Sequence, residues 1–323
     1  MKTKYIVMII DDNFTGLDSS LNKIEQYLKK QGVEFVAEKI EVTSDWKMEE
    51  NLSFNGLIKN PELDMILVDF NLDDTYDGYE VIKYIREQKT NYHAPIIFYT
   101  ADDIPTLIDL KNKENVFKGK KILEGIYFEE RDKIEEKAIC IFHSLLEKEK
   151  SVAHGRGLLL DTCSEMEAKI KELILLLQSK IKDKTTAKNL ILNEILKENN
   201  NDFQQAVKAL DENTIFSFMV GDRCRSKTFL KVSSLIALLS MPEFNKKITP
   251  GCIRYFSTLY AKTSTATTPP TEFLMDLRNT YGHKSEKEIM SHHTDGRVID
   301  IRKYCTAHLR NVEKLIAECS AIV

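Results

Sequence analysis

Three aspartates end two apolar runs. Tyr5-Ile6-Val7-Met8-Ile9-Ile10 leads into Asp11-Asp12, and Met65-Ile66-Leu67-Val68 leads into Asp69. Such runs read as strands of a parallel sheet buried on both faces. Each strand then delivers its last side chains to the carboxyl-end rim, where open α/β sheets bind ligands. Three carboxylates crowded there repel one another unless a hard cation sits among them, and an all-oxygen set of this kind suits Mg²⁺. A further run, Pro95-Ile96-Ile97-Phe98-Tyr99, ends in Thr100 and sets a hydroxyl on the same rim. Asn71 follows Asp69, and Asp77-Gly78 opens the next helical stretch.

The elements that must hold these residues alternate along the first half. Strand-like runs cover 4–10, 34–42, 64–69, 95–99 and 125–128, with amphipathic stretches at 14–31, 47–59, 78–89, 104–112 and 131–149. Leu21, Ile24, Tyr27 and Leu28 show the helical spacing in the first of these stretches. Right-handed crossovers make the pattern a doubly wound, five-stranded parallel sheet. After residue 150 the strand signals stop. Helical runs fall at 156–180, 186–198, 202–210, 226–240, 250–262, 271–281 and 297–321, punctuated by Pro242, Pro250 and Pro269-Pro270. The expectation is an α/β domain at 1–150 followed by an all-α helical bundle at 151–323. Glu147-Lys148-Glu149-Lys150 reads as carrying the last helix of the first domain straight into the second.

Composition bounds the class. With 323 residues, 42% hydrophobic and 30% charged, the chain reads as a soluble globular protein of two domains. No run reaches the roughly 18 apolar residues of a membrane span. Met1-Lys2-Thr3-Lys4 leads directly into a strand, without a cleavable signal pattern. Six cysteines without a CxxC pair read as reduced, buried thiols of a cytoplasmic protein. The net charge of −4 conceals an asymmetry: residues 1–150 hold 21 Lys and Arg against 30 Asp and Glu, whereas 151–323 hold 25 against 20. The basic half permits nucleic-acid contact without demanding it.

The rim residues as a set resemble the receiver domain of bacterial response regulators. The resemblance rests on the acidic pair Asp11-Asp12, Asp69 at a strand end, Gly78 before a helix, and Thr100-Ala101. It implies a flavodoxin-like fold over about residues 4–145 and a phosphorelay role with a histidine kinase as partner. It also implies that Asp69 is the phosphoacceptor, with Mg²⁺ held by Asp11, Asp12, Asp69 and the backbone carbonyl of Asn71. Thr100 would hydrogen-bond the phosphoryl group and report it. The chemistry is consistent, because a carboxylate attacking an anionic phosphoryl group needs a cation to neutralise the repulsion. Receivers usually carry a Lys ending the fifth strand. Here that position falls on Glu129 or Glu130, and Arg131 is the nearest cation. The loop after Asp69 is one residue longer than usual, and the stretch from Thr100 to the fifth strand is long.

The helical half carries Leu277-Arg278-Asn279-Thr280-Tyr281-Gly282-His283. On an unbroken helix Arg278 and His283 would diverge by about 140°, at about 100° per residue. Gly282 offers a left-handed turn that folds His283 back toward Arg278. This motif resembles the Arg-x4-His signature of HEPN-type helical domains, many of them metal-independent ribonucleases. The resemblance implies a homodimer through the helical domain, with RNA as substrate. His283 would act as general acid or base and Arg278 would stabilise phosphorane charge. Asn279 would orient the ribose or phosphate, and Glu165 or Glu167 would position the pair. An Arg and a His at a helix end also simply cap carbonyls. Two readings of the output therefore stand: an RNA-cleaving enzyme, or a non-catalytic, phosphorylation-dependent dimerisation or partner-docking module. Lesser candidates are His292-His293 with Asp295 as metal ligands, the basic knot Arg223, Arg225 and Lys227, and His154-Gly155-Arg156 at the join of the halves. Trp46, the lone tryptophan, reads as half-buried packing.

Overall fold

Near-continuous apolar runs form the middle of a sheet because both faces must be covered. The computed structural model describes residues 1–72, 77–88, 94–100, 125–196, 207–221, 228–260 and 273–322. Strands β1 (Lys4–Asp11), β2 (Glu34–Glu41), β3 (Leu63–Asp69), β4 (Ile96–Thr100) and β5 (Ile126–Glu130) form one sheet in the order β2-β1-β3-β4-β5. Every neighbouring pair is parallel. All five carboxyl ends therefore reach the same rim. The order reverses direction at β1, so the crevice between β1 and β3 is the topological switch point of a flavodoxin-like sheet. Strands β1, β3 and β4 are buried almost throughout, whereas the edge strand β2 is exposed or half-buried everywhere except Ile40.

Period-2 alternation sorts the side chains into two cores. Tyr5, Val7 and Ile9 of β1, Met65 and Leu67 of β3, and Ile97 and Tyr99 of β4 lie on one face. That face is covered by α1 (Leu17–Lys30) and α4 (Ile134–Lys148). Met8, Ile10, Ile66, Val68 and Phe98 face the other way, against α2 (Leu52–Ile58) and α3 (Gly78–Glu87). Each fully buried Val, Leu, Ile or Phe contributes roughly 1.5–3 kcal/mol. A 3₁₀ turn, Arg131–Lys133, joins β5 to α4. Trp46 is buried in the second core at 6% exposure, deeper than half-buried packing.

The chain divides into two units, Lys2–Lys150 and Ser151–Val323. The helix preceding the join does not run on as the sequence suggests. It ends at Lys148, and the Ser151 hydroxyl accepts the His154 N–H to cap a new helix. The second unit contains α5 (Val152–Lys180), α6 (Lys184–Ile195), α7 (Thr214–Val220), α8 (Thr228–Leu239), α9 (Pro242–Asn245), α10 (Pro250–Phe256), α11 (Leu274–His283), α12 (Glu286–Met290) and α13 (Asp295–Ser320). Its described residues hold no strand. The architecture is thus α/β followed by all-α, as the pattern predicts. Helices α7, α9 and α12 went unseen in sequence. The four and five residues of α9 and α12 are too few to display a helical period, and α7 is apolar at most positions, so no polar face marks one. The predicted helix at 104–112, Pro269-Pro270, most of 202–210, Ala101 and the basic knot Arg223, Arg225 and Lys227 lie outside the described residues. No described helix is long and apolar enough to cross a membrane. Among the described cysteines, Cys163, Cys252, Cys305 and Cys319 are buried thiols, while Cys140 is exposed, against the expectation for that residue.

Candidate functional site

Asp11, Asp69 and Tyr99 continue the rows Tyr5-Val7-Ile9, Met65-Leu67 and Ile97, so alternation carries all three to the rim on the α1/α4 face. Asp11 is fully buried and Asp69 is 3% exposed, while Asp12, one residue on, faces solvent. One oxygen from each of Asp11, Asp12 and Asp69 lies within 4.8 Å of the others. Gly78 makes this closeness compatible with α3. A Cβ there would stand 2.0 Å from the Asp69 carbonyl oxygen, so only glycine lets the helix start press on the end of β3. Asp77 caps the same helix by accepting the Glu80 N–H at 2.8 Å.

Arg131 is the counter-ion of this cluster. Its Nη1 donates to Asp69 Oδ2 at 3.0 Å and its Nη2 to Asp11 Oδ2 at 3.0 Å. Nη2 also reaches the backbone carbonyls of Asn13 and Thr15, tying down the loop between β1 and α1. The 3₁₀ turn makes this reach feasible, because it precedes the helix that covers the cluster's own face. The two acids ending β5 turn elsewhere: Glu129 pairs with Lys137 at 3.0 Å and Glu130 with Lys133. The remaining carboxylate oxygens are also engaged. Asp69 Oδ1 accepts the Asn71 N–H at 3.1 Å, and Asp11 Oδ1 accepts the Asn13 N–H at 2.8 Å. The Tyr99 hydroxyl donates to Asp11 Oδ2 at 2.6 Å, and its ring lies 5.8 Å from the Arg131 guanidinium carbon. Thr100, the next residue, is buried at the end of β4.

Burial, and after it the Asp11 charge, push the Asp69 carboxyl up from its ordinary value to about 7. The Asn71 N–H and Arg131 oppose that rise without cancelling it. Asp12 is raised as well, first by burial and then by Asp11. Burial and the adjacent Asp11 push the Tyr99 phenol far upward, so it stays a proton donor. An all-oxygen donor set with three carboxylates and one guanidinium still carries net negative charge. That chemistry fits a hard divalent cation such as Mg²⁺.

Tyr99 and the Asn13 and Thr15 carbonyls escaped the sequence reading. The signal for Tyr99 was available: it lies two residues after Ile97, in step with Asp69 across the ladder. No comparable signal exists for backbone carbonyls in a loop.

In the helical unit, α11 runs unbroken through Gly282 to His283, and Gly282 is not among the glycines with positive φ. The left-handed turn expected there is absent, because the helix finds its end one residue later, where the Lys284 N–H bonds the Thr280 carbonyl. Arg278 and His283 therefore project about 140° apart. Arg278 is half-buried and donates to Asn279 Oδ1 at 3.1 Å. Its charge reaches Tyr260, which also feels Glu167. Glu167 accepts the Thr228 hydroxyl, and Glu165 lies on the exposed side 4.0 Å from Lys169. His283 is exposed at the helix end. His293 bonds the Tyr281 hydroxyl at 2.8 Å through Nδ1. Among the described residues the Asp11, Asp12 and Asp69 group is the one acidic, His or Cys cluster of metal-binding spacing, so His292, His293 and Asp295 do not form another. Arg156 donates to the Tyr281 and Lys284 carbonyls and so closes the C-terminal end of α11.

No family model matches the chain, and no curated protein does. Among solved structures, the first unit is similar to a crystal structure of a response regulator receiver domain from Rhodospirillum rubrum. The two share 16% identity, the match covers 43% of this chain and 94% of that one, and the TM-score is 0.29.

Proposed function

We propose that residues 2–150 are the phosphoacceptor domain of a response regulator, and that Asp69 takes a phosphoryl group from the phosphohistidine of a partner histidine kinase. The observation that carries this reading is the seating of Asp69, buried at the switch-point rim between two further carboxylates and joined to a single guanidinium. An Asp69 oxygen attacks phosphorus in line. The O–P bond forms as the P–N bond breaks, and the electron pair returns to the donor imidazole. Such transfers depend almost entirely on positioning and charge neutralisation. A Mg²⁺ held by Asp11, Asp12, Asp69 and the Asn71 carbonyl would neutralise the carboxylates and the incoming phosphoryl oxygens. Arg131 offers a planar fork to those oxygens, which a Lys would offer only as a point charge. The Tyr99 hydroxyl keeps Asp11 oriented, and the Thr100 hydroxyl bonds the phosphoryl group and reports its arrival. The test is incubation with a small-molecule phosphodonor and Mg²⁺. Intact mass should show one added phosphoryl group, absent in Asp69→Asn. No addition, or equal addition to the variant, overturns the assignment.

For the helical unit a phosphorylation-dependent docking or dimerisation role is better supported than RNA cleavage. The supporting observation is the unbroken course of α11, which sets His283 about 140° around the helix from Arg278 within one chain. RNA incubated with wild type and with His283→Ala should survive equally. Cleavage by wild type that is lost in His283→Ala restores the nuclease reading and its dimeric cleft.

A further inference from the structure

The carboxylate cluster already contains a cation of its own. We infer that Arg131 is a displaceable built-in counter-ion: seated on Asp11 and Asp69, it competes with a divalent cation for the same oxygens and thereby sets how weakly the site takes metal. This inference rests on the phosphoacceptor reading and deepens it.

The geometry supports competition rather than coexistence. One Arg131 nitrogen occupies Asp69 Oδ2 and the other Asp11 Oδ2, each at 3.0 Å. Asp11 Oδ2 also takes the Tyr99 hydroxyl, and its Oδ1 takes the Asn13 N–H. Asp69 Oδ1 takes the Asn71 N–H. Every oxygen of the two buried carboxylates thus already accepts a protein donor. A metal drawn to them meets a positive charge on both of the Oδ2 oxygens. Like charges sharing one oxygen repel strongly where water is scarce, and Asp11 and Asp69 are almost fully buried. The guanidinium is the participant that can leave, since its side chain remains 23% exposed. When it leaves, it also releases the Asn13 and Thr15 carbonyls. Metal entry is therefore coupled to loosening of the loop between β1 and α1. Asp12, exposed and beside the cluster, is the carboxylate through which metal first arrives.

Calorimetric titration of the full chain with MgCl₂ tests this, comparing wild type with Arg131→Gln, Arg131→Lys and Asp12→Asn. Trp46 fluorescence confirms that the first unit of each variant is folded. Arg131→Gln should bind Mg²⁺ at least about tenfold more tightly than wild type, because the metal then meets no positive charge on the two Oδ2 oxygens. Arg131→Lys should fall between them, since a point charge cannot fork across two carboxylates. Asp12→Asn should bind more weakly than wild type. Equal or weaker binding by Arg131→Gln and Arg131→Lys overturns the inference while leaving the acceptor reading intact. Absence of binding in wild type and in both Arg131 variants overturns the inference and the acceptor reading together.

Discussion

Replacing Asp69 by Asn should stabilise the first unit, and the gain should depend on pH in a defined way. The folded Asp69 carboxyl titrates near 7, against an ordinary value of 3.8. Between those two values the folded protein holds a proton that the unfolded chain has lost. Stability therefore falls as pH rises through this window, by about 1.4 kcal/mol per pH unit, and levels off above the folded value. The favourable contribution is fully present below pH 3.8 and gone above about 7. The span corresponds to about 4 kcal/mol as a ceiling. Asn carries no charge to bury and still offers a carbonyl oxygen to the Asn71 N–H and Arg131. The expected advantage of Asp69→Asn is close to zero at pH 4 and roughly 2–4 kcal/mol at pH 8.

Trp46 makes this measurable in the full chain. It is the lone tryptophan and it is buried in the first unit, so its fluorescence follows that unit's denaturation alone. Urea curves at pH 4.5, 6, 7 and 8 should show the two proteins separating as pH rises. Saturating Mg²⁺ should narrow the gap, because a ligand of the folded wild type stabilises it by mass action. A variant less stable than wild type at pH 8, or a gap that does not change with pH, would refute the argument that burial and Asp11 dominate over Arg131 at this carboxyl.

Other perturbations follow from single contacts. Gly78→Ala should destabilise the first unit by about 2 kcal/mol or more, despite alanine's better helix propensity, because its Cβ would strike the Asp69 carbonyl; Trp46-monitored urea midpoints check this. Tyr99→Phe leaves a buried Asp11 oxygen with one donor fewer and should cost about 1.5–3 kcal/mol, again read at Trp46. Arg156→Ala should remove the closure of α11 and cost about 1 kcal/mol in the helical unit. Its far-UV melting should shift while the Trp46 transition stays in place.

Much of the first unit is legible in one dimension. A parallel strand buried on both faces must be apolar along its whole length, so its end shows as the first charged residue. Asp11 and Asp69 announce themselves in that way. The helical unit is legible only as helices, because its packing depends on matching faces between elements whose pairing no period reveals. Gly282 illustrates the limit. A glycine near a helix end favours the left-handed turn without compelling it, and here the Lys284 N–H already satisfies the Thr280 carbonyl one residue later.

The order of strand-ending acids along the chain, with the period-2 rows behind them, determined by itself that carboxylates gather at one rim. Local sterics and burial enforce that outcome wherever these strands pair in parallel. Which cation answers them was decided only by the tertiary structure. The residue aligned with the expected positive charge is an acid, Glu129 or Glu130, and both are drawn to lysines on the following turn and helix. Arg131 reaches Asp69 across 62 residues and Asp11 across 120. Contacts so distant in sequence exist only once the 3₁₀ turn after β5 is set above the face that α1 and α4 cover, and no local preference of the chain specifies that placement.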